Sequence, residues 1–383
     1  MSLRATKRGA ERTPLGGSYE AVICGASFAG LAVARELAGT GARVLVLERY
    51  AIGERQTSAC AAPTGVLEQL GLDDSILQRF DELVVHTRFR SFRWRLPFAF
   101  ATFDYARLCA LLWAQSGSAE FETATVTGTR DADGGEVIVE TDRGEVSAPL
   151  VVDALGWRRV LRRTGDAIAP PAATMSRGLE VHPAGASDDL EVWLHPDCVR
   201  RGYGWVFPAL DELRVGIGSF DPRDHVKQPT LRLARHVGVP PDGYQGNWIP
   251  HALRDAIDGP IFFTGDSAGH CMPATAEGIR PALYFGTVLG RELALVVQGR
   301  QTRAQALERY RDFHERHRWA WRWLLRTQRA LGASNPYPVL TSAMELMNRP
   351  RFLRWSFSKY LNICPPEVLA EPVPATSMTT PPA

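Results

Sequence analysis

Disulfide frameworks need paired, regularly spaced cysteines, and this chain has neither. Its six cysteines (Cys24, Cys60, Cys109, Cys198, Cys271 and Cys364) form no C-x-x-C pair and keep no regular spacing. A chain of 383 residues can close its core without cross-links, so reduced thiols in the cytoplasm are expected, and no metal site. No apolar run is long enough to span a bilayer, and the first eighteen residues lack the apolar segment of a secretory signal. Residues 1–18 read as a disordered lead-in, and residues 366–383, rich in Pro and Thr, as a disordered tail. The formal net charge is only +2, and no zinc-finger or RNA-binding signature is present, so nucleic acid is not an expected partner.

What is present is an ordinary globular composition, 45% hydrophobic and 22% charged, with length enough for two domains or one large domain with an insertion. The oligomeric state is not legible. Residues 19–24 (YEAVIC) read as a buried strand, 28–38 as a helix and 42–48 (ARVLVLE) as a second buried strand, a β-α-β unit at the front of the chain. Residues 83–103 alternate apolar with polar residues, giving two or three strands, and FDYARLCALLWAQ reads as a helix. Strands with turn signals follow from Glu120 to Leu155 and again over 174–220. There GYGWVFPAL and ELRVGIGSF read as neighbours joined by a tight turn near Asp211-Glu212. PIFFTGDSAG ends one more buried strand, a long apolar helix follows, and 302–361 are helical and rich in Arg and Trp. A dinucleotide-type unit is thus interrupted by β-rich insertions and resumes near residue 260, an arrangement that places a ligand between the two folds.

GASFAG, residues 25–30, nearly spells G-x-G-x-x-G. Gly25 would make the tight turn, Gly30 would let helix and strand pack closely, and Ser27 stands where the middle glycine lets backbone approach a pyrophosphate. Phe28 and Ala29 open the helix, whose free N–H groups favour an anion. Glu48 ends the second strand about twenty residues on, placed to accept from a ribose hydroxyl, with Arg49 beside it.

Two further features are readable from the residues. Tyr203, Trp205 and Phe207 alternate along a strand, so they share a face and form an apolar wall ahead of Pro208. That wall is either a core face or a slot for a long apolar substrate, with ring faces able to stabilise a cation. Arg318, Arg322, Arg326 and Arg329 recur on one helical face with Trp319 and Trp323 beside it. Such a helix suits a membrane surface, but packing of its Trp/Leu side onto the main domain is the preferred reading.

IFFTGDSAGHCMPATAEGIRPALYFG, residues 261–286, resembles the second flavin motif of the p-hydroxybenzoate hydroxylase-like flavoprotein superfamily. That resemblance implies FAD, with Gly265-Asp266 closing a strand and Asp266 binding a ribityl hydroxyl. It also implies that Pro273 passes the isoalloxazine and that the helix N-terminus at Gly278-Ile279 meets its pyrimidine end. VVDALGWRRVLRR resembles the middle motif, with Leu155 in place of its Asp and Gly156 kept. TFDYARL resembles the position where relatives carry an Arg near the pyrophosphate; here Tyr105 stands there, with Arg107 two residues on. His270 merely continues the second motif and is not expected to be catalytic.

Within the superfamily the chain resembles the geranylgeranyl reductase family, through G-D-x-A-G with P-x-T-x-E-G-I, through Y-x-W-x-F-P at Tyr203–Pro208, and through Cys60 in the loop after the second strand. Ala276 departs from the family's usual Gly. The resemblance implies a mixed α/β fold: a Rossmann-like FAD domain of the glutathione-reductase type, an inserted mixed β-sheet substrate domain and a helical C-terminal region. On the chain these would be 19–82 with 104–165 and 255–300; 83–103 with 166–254; and 301–365. It further implies hydride transfer from reduced flavin to C=C bonds of a prenyl chain or similar apolar metabolite. Cys60 is then a candidate acid, and electrons would come from NAD(P)H or a ferredoxin-type protein, since no second dinucleotide fingerprint is visible. A cytoplasmic protein is expected, at most peripheral on the membrane. An FAD-dependent monooxygenase is the rival reading. A halogenase is disfavoured, because of the three lysines (Lys7, Lys227 and Lys359) none follows the second strand closely. A non-catalytic relic that binds a lipid or partner is the third reading.

Overall fold

The structure is a computed structural model that describes residues 13–370 apart from 57, 166, 171–173, 196 and 334–336. The buried apolar strand Ala21–Cys24 sits at the centre of a six-stranded sheet. Val44–Glu48 and Glu120–Thr123 flank it on one side, and Leu150–Asp153, Ile261–Phe263 and Ile257–Asp258 on the other. All pairings are parallel except that of Ile257–Asp258. Continuous apolar runs fit strands covered on both faces. On one face the helices Phe28–Glu36 and Ile279–Val297 pack so closely that Cβ atoms at Gly286 and Gly290 would lie 2.6 Å from the Ala29 carbonyl oxygen and 2.7 Å from Glu36 Cβ. On the other lies a three-stranded sheet, Val126–Asp131, Val137–Thr141 and Gly144–Ala148.

The second large sheet has eight strands, in the order Gln245–Pro250, Met175–Val181, Glu212–Ser219, Gly202–Ala209, Leu190–Leu194, Ile76–Thr87, Ser91–Phe103, Ala61–Pro63. It is antiparallel except where Leu190–Leu194 meets Ile76–Thr87. Gly202–Ala209 and Glu212–Ser219 form the hairpin that the turn near Asp211 requires. One face of this sheet packs Val181, Val206, Val215 and Ile217 against Leu233 and Ala234 of the helix Lys227–Val237. The other face is left for the site.

The helices Arg303–Arg316, Arg318–Ala333, Tyr337–Met347 and Pro350–Leu361 complete the structure. Leu353, Phe357, Met344 and Met347 join Val85, Phe92 and Trp94 of the large sheet. In Arg318–Ala333 the inward tryptophan is Trp321, fully buried with Nε1–H donating to the carbonyls of Gly269 and Cys271 at 3.1 Å each. Trp319 and Trp323 remain exposed, contrary to the packing expected of them.

Residues 13–18 and 366–370, expected to be disordered, are ordered. Leu15 and Ser18 bridge to Gly144 and Ser147, extending the three-stranded sheet. Glu367–Ala370 is a helical turn whose carbonyls at Val368 and Leu369 accept from Arg291 at 2.6 and 3.3 Å. Residues 1–12 and 371–383 lie outside the described residues.

Candidate active site

A cavity of about 2570 Å³ lies between the ends of the six-stranded sheet, the free face of the large sheet and the C-terminal helices. A single small-ligand pocket is roughly 300–1,000 Å³, so there is room for a dinucleotide and a long substrate together.

The front loop forms one end. Gly25, at φ +116°, passes so close to Ala154 that a Cβ would lie 2.3 Å from its carbonyl oxygen, and a Cβ on Gly30 would lie 1.9 Å from the Gly25 carbonyl oxygen. Both glycines therefore serve backbone packing, and neither lines the cavity, while Ser27, Phe28 and Ala29 do. Ser27 stands at the helix N-terminus without a side-chain cap, so the first-turn N–H groups remain available to an anion. Glu48 lines the cavity too, its carboxylate accepting from the N–H of Ala26 at 3.3 Å and of Arg49 at 2.8 Å.

Arg107 does not join them. Its guanidinium pairs with exposed Asp74 at 3.2 Å, outside the cavity lining. Tyr105 occupies the place instead and donates to the Ser27 hydroxyl at 3.1 Å. Two residues along a helix turn roughly 200°, so only one of Tyr105 and Arg107 can face the loop.

The second motif closes the same end. Gly265, at φ +64°, brings the turn against Ala29, and Gly278 and Ile279 open the long helix at the cavity. Burial pushes the Asp266 carboxyl up to about 6, against the lowering effect of Arg254. Among the described residues no hydrogen bond to that carboxylate is formed, although it lines the cavity. A half-buried acceptor at the cavity wall with no protein hydrogen-bond donor fits the hydroxylated linker of a flavin dinucleotide. Gly156, at φ +83°, faces open space from the third side. Pro273 is buried behind the lining, where the loop continues through Ala274 and Ala276 at φ +66° and +51°. Ala276 thus adopts the left-handed backbone that a glycine accepts without strain. Glu277 is locked by Arg280 at 2.7 and 2.8 Å and by the Tyr360 hydroxyl at 2.5 Å, which ties the loop to the C-terminal helices.

His270 is a core residue. Its Nδ1 accepts from the Gly265 N–H at 3.0 Å and its ring stacks on Phe285. Burial, with His314 and His317 nearby, holds it neutral.

The wall of the cavity is aromatic. Tyr203, Trp205 and Phe207 line it, with ring centroids 6.0 and 6.5 Å apart, while Val206 points into the opposite core. Trp205 lies flat because Gly216 is beneath it: a Cβ there would come within 2.2 Å of the indole. The Tyr203 hydroxyl donates to the Thr275 carbonyl, joining the wall to the second motif. Pro208 is buried off the cavity face. Cys60 is also displaced from its expected place. Ser58, Ala59 and Ala61 line the cavity, but the Cys60 thiol is fully buried and donates to the Ser58 carbonyl at 3.2 Å. Burial holds that thiol well above its ordinary range despite the nearby Arg214, so it stays protonated, with its S–H spent on the Ser58 carbonyl and not turned to the cavity.

A polar group unforeseen in the sequence interrupts this wall. Glu180, buried, accepts from Trp205 Nε1–H at 3.0 Å, from Gln245 at 2.6 Å and from His182 at 2.9 Å. His182 in turn meets Glu212 at 3.2 Å, and Glu212 accepts from Arg214 at 3.0 Å. These residues come from four strands, His182 just past the end of one of them, and meet only through register. Among the described residues no cluster could hold a metal ion, and no helix is long and apolar enough to cross a membrane.

No family model matches the chain. It is 23% identical over 330 residues to digeranylgeranylglycerophospholipid reductase 3 of Methanosphaera stadtmanae, covering 78% of this chain and 83% of that protein. In fold it is similar to a geranylgeranyl bacteriochlorophyll reductase-like protein from Thermoplasma acidophilum, with TM-score 0.80, 16% identity and coverage of 92% of this chain and 98% of the other. It is also similar to PqsL of Pseudomonas aeruginosa, described as a probable FAD-dependent monooxygenase, with TM-score 0.67, 16% identity and coverage of 86% and 100%. Sequence likeness over most of the chain is thus to a reductase of geranylgeranyl lipids, and fold likeness over nearly all of it is to a geranylgeranyl reductase-like protein.

Proposed function

We propose that this protein saturates C=C bonds of a prenyl chain or comparable apolar metabolite. One observation carries the reading: the aromatic face of Tyr203, Trp205 and Phe207 lines the same cavity as the front loop and Asp266. In this reading Ser27, Phe28 and Ala29 hold the pyrophosphate at the helix N-terminus, Glu48 with Arg49 the ribose, and Asp266 a ribityl hydroxyl. Gly25, Gly30, Gly156 and Gly265 give the backbone its close approach, and Gly278-Ile279 presents a helix N-terminus to the ring system. Reduced FAD, when bound, supplies hydride. The chain's own part is to exclude water with the aromatic wall and to stabilise positive charge on the alkene with its ring faces. NAD(P)H or a reduced ferredoxin-type protein serves as electron donor. Exposed Trp319, Trp323 and Trp355 border the cavity among basic residues and suit a transient contact with a lipid surface.

The test uses the flavin as its own reporter. The protein is loaded with FAD, reduced without oxygen and mixed with a geranylgeranyl lipid. Reoxidation of the flavin with saturation of the lipid is the expected result. Reoxidation only on admitting air, with an oxygenated lipid, would establish the monooxygenase instead. Failure to bind FAD at all would leave a lipid-binding relic.

A further inference from the structure

An isolated trisubstituted alkene accepts hydride only if a proton reaches its other carbon, so a site of this kind needs an acid. Cys60 is sealed from the cavity and His270 is part of the core. We propose that Glu180 is the proton donor, supplied by His182, whose charged ring Glu212 holds in place; this rests on the reductase reading above.

The geometry is that of a relay. Glu180 lines the cavity beside Trp205, yet is only 3% exposed. One carboxylate oxygen holds the Trp205 Nε1–H at 3.0 Å, and the other accepts from Gln245 at 2.6 Å and His182 Nε2 at 2.9 Å. His182 Nδ1 lies 3.2 Å from Glu212 Oε1, and the Glu212 side chain is 37% exposed, so it reaches water. Arg214 fixes the outer end, donating to Glu212 at 3.0 Å and to the carbonyls of Ala59 and Phe103 at 3.0 Å each.

The charged groups around His182 are Glu180 on its own side, and Glu212 and Arg214 on the neighbouring strand; its backbone N–H is held by the Asp242 carbonyl. Burial opposes a charge on His182, but the hydrogen bonds and charges of Glu180 and Glu212 outweigh it and push the imidazole up to about 9. The resting state at neutral pH is therefore an imidazolium between two carboxylates.

Apolar substrate changes that balance. A prenyl chain against the wall expels water, and a dry medium penalises an ion pair relative to two neutral partners. The proton then moves from His182 Nε2 to Glu180, and a carboxylic acid faces the alkene. As the π bond breaks, its electron pair takes the Glu180 proton to form one C–H bond, and Glu180 becomes a carboxylate again. The resulting tertiary cation lies against Trp205 and accepts hydride from reduced flavin at the other carbon, which oxidises the flavin by two electrons. The sum is one proton and one hydride added across C=C. Glu212 keeps hold of the Nδ1–H throughout, and His182 Nε2 regains its proton from water readmitted when the saturated product leaves.

The experiment follows flavin reoxidation by geranylgeraniol in detergent, without oxygen, from pH 6 to 10, in the full chain loaded with FAD. The wild-type rate should be level below about pH 9 and fall above it, because the acid form of His182 is lost as pH rises through its raised pKa. Glu180→Gln should slow reoxidation at least ~100-fold, in the range of a lost general acid, and abolish the falling limb. A second readout needs no flavin: by NMR of the cofactor-free chain, the His182 ring should titrate near 9, and at least one unit lower in E180Q. Should E180Q lose its fold, Glu212→Gln carries the test by moving the falling limb to lower pH. Equal wild-type and E180Q rates, or a His182 that titrates below 7, would overturn the relay while leaving the reductase reading intact. A wild-type protein that never passes hydride to the alkene overturns both.

Discussion

Glycine does different work in the two halves of this molecule. In the nucleotide half it lets backbone touch backbone: Gly25 lies on Ala154, and Gly30 on Gly25. In the large sheet it lets backbone touch a ring: Gly216 and Gly218 lie under the Trp205 indole. The first kind of contact cannot be relieved without moving the strand or helix that carries the loop. The second is with side chains, the Trp205 indole and, at Gly216, also the Glu180 Cβ 2.8 Å away, which can give way without moving a whole loop. One half is therefore fixed by its main chain, and the other is a surface whose shape depends on how Trp205 and Glu180 sit over two glycines.

Substitutions of matched size should separate the two. The largest effect is expected at Gly30→Ala, whose Cβ would sit 1.9 Å from a carbonyl oxygen. It should cost about 3 kcal/mol of stability, at the upper end for overpacking, and FAD binding with it, read by denaturant unfolding and by flavin absorbance after reconstitution. Gly216→Ala should spare FAD binding but displace both Trp205 and Glu180, raising KM for a prenyl substrate roughly 10-fold, which corresponds to ~1.4 kcal/mol, and slowing reoxidation as well. Equal losses of FAD in both variants would erase the distinction.

The effect at Asp266 is the most diagnostic. The Asp266 carboxyl is held at about 6 instead of its ordinary 3.8, by burial with Arg254 opposing. The folded, cofactor-free chain thus binds that proton more tightly than the unfolded chain. Its stability should fall as pH rises from about 4 to 6, and the cost is complete above that window. Asp266→Asn removes the cost, so the cofactor-free variant should be about 3 kcal/mol more stable at pH 7. The same substitution should weaken FAD roughly 10- to 100-fold, as expected for a lost charged acceptor. Wild-type FAD affinity should likewise fall as pH drops through about 6, with a flat profile in D266N. Thermal unfolding and flavin titration at pH 5 and 8 check both signs.

Much of this was legible in the sequence, because local pattern carries it. Buried apolar strands next to glycine turns gave the front unit, Gly265-Asp266 marked the returning strand, and alternation alone put Tyr203, Trp205 and Phe207 on one face. What was not legible depends on direction or on register. Arg107 looked as apt as Tyr105 until the helix start set which one turns inward. Cys60 sits in a loop whose neighbours face the cavity while its own backbone, at φ +54°, carries the thiol the other way. Glu180, His182, Glu212 and Gln245 are separated by up to 65 positions and meet only because Glu180 pairs with Gly216 on one side and with Gln245 on the other.

The crowding of indoles around the cavity has an optical consequence. Seven of the chain's ten tryptophans line it, including Trp205 at the wall and Trp319, Trp323 and Trp355 at the rim. Their emission overlaps the absorption of an oxidised isoalloxazine, so excitation energy absorbed by the rim should drain into a bound flavin. The intrinsic fluorescence of this protein is then a gauge of its own occupancy, dimming as cofactor enters and shifting toward the blue as an apolar chain displaces water from the indoles.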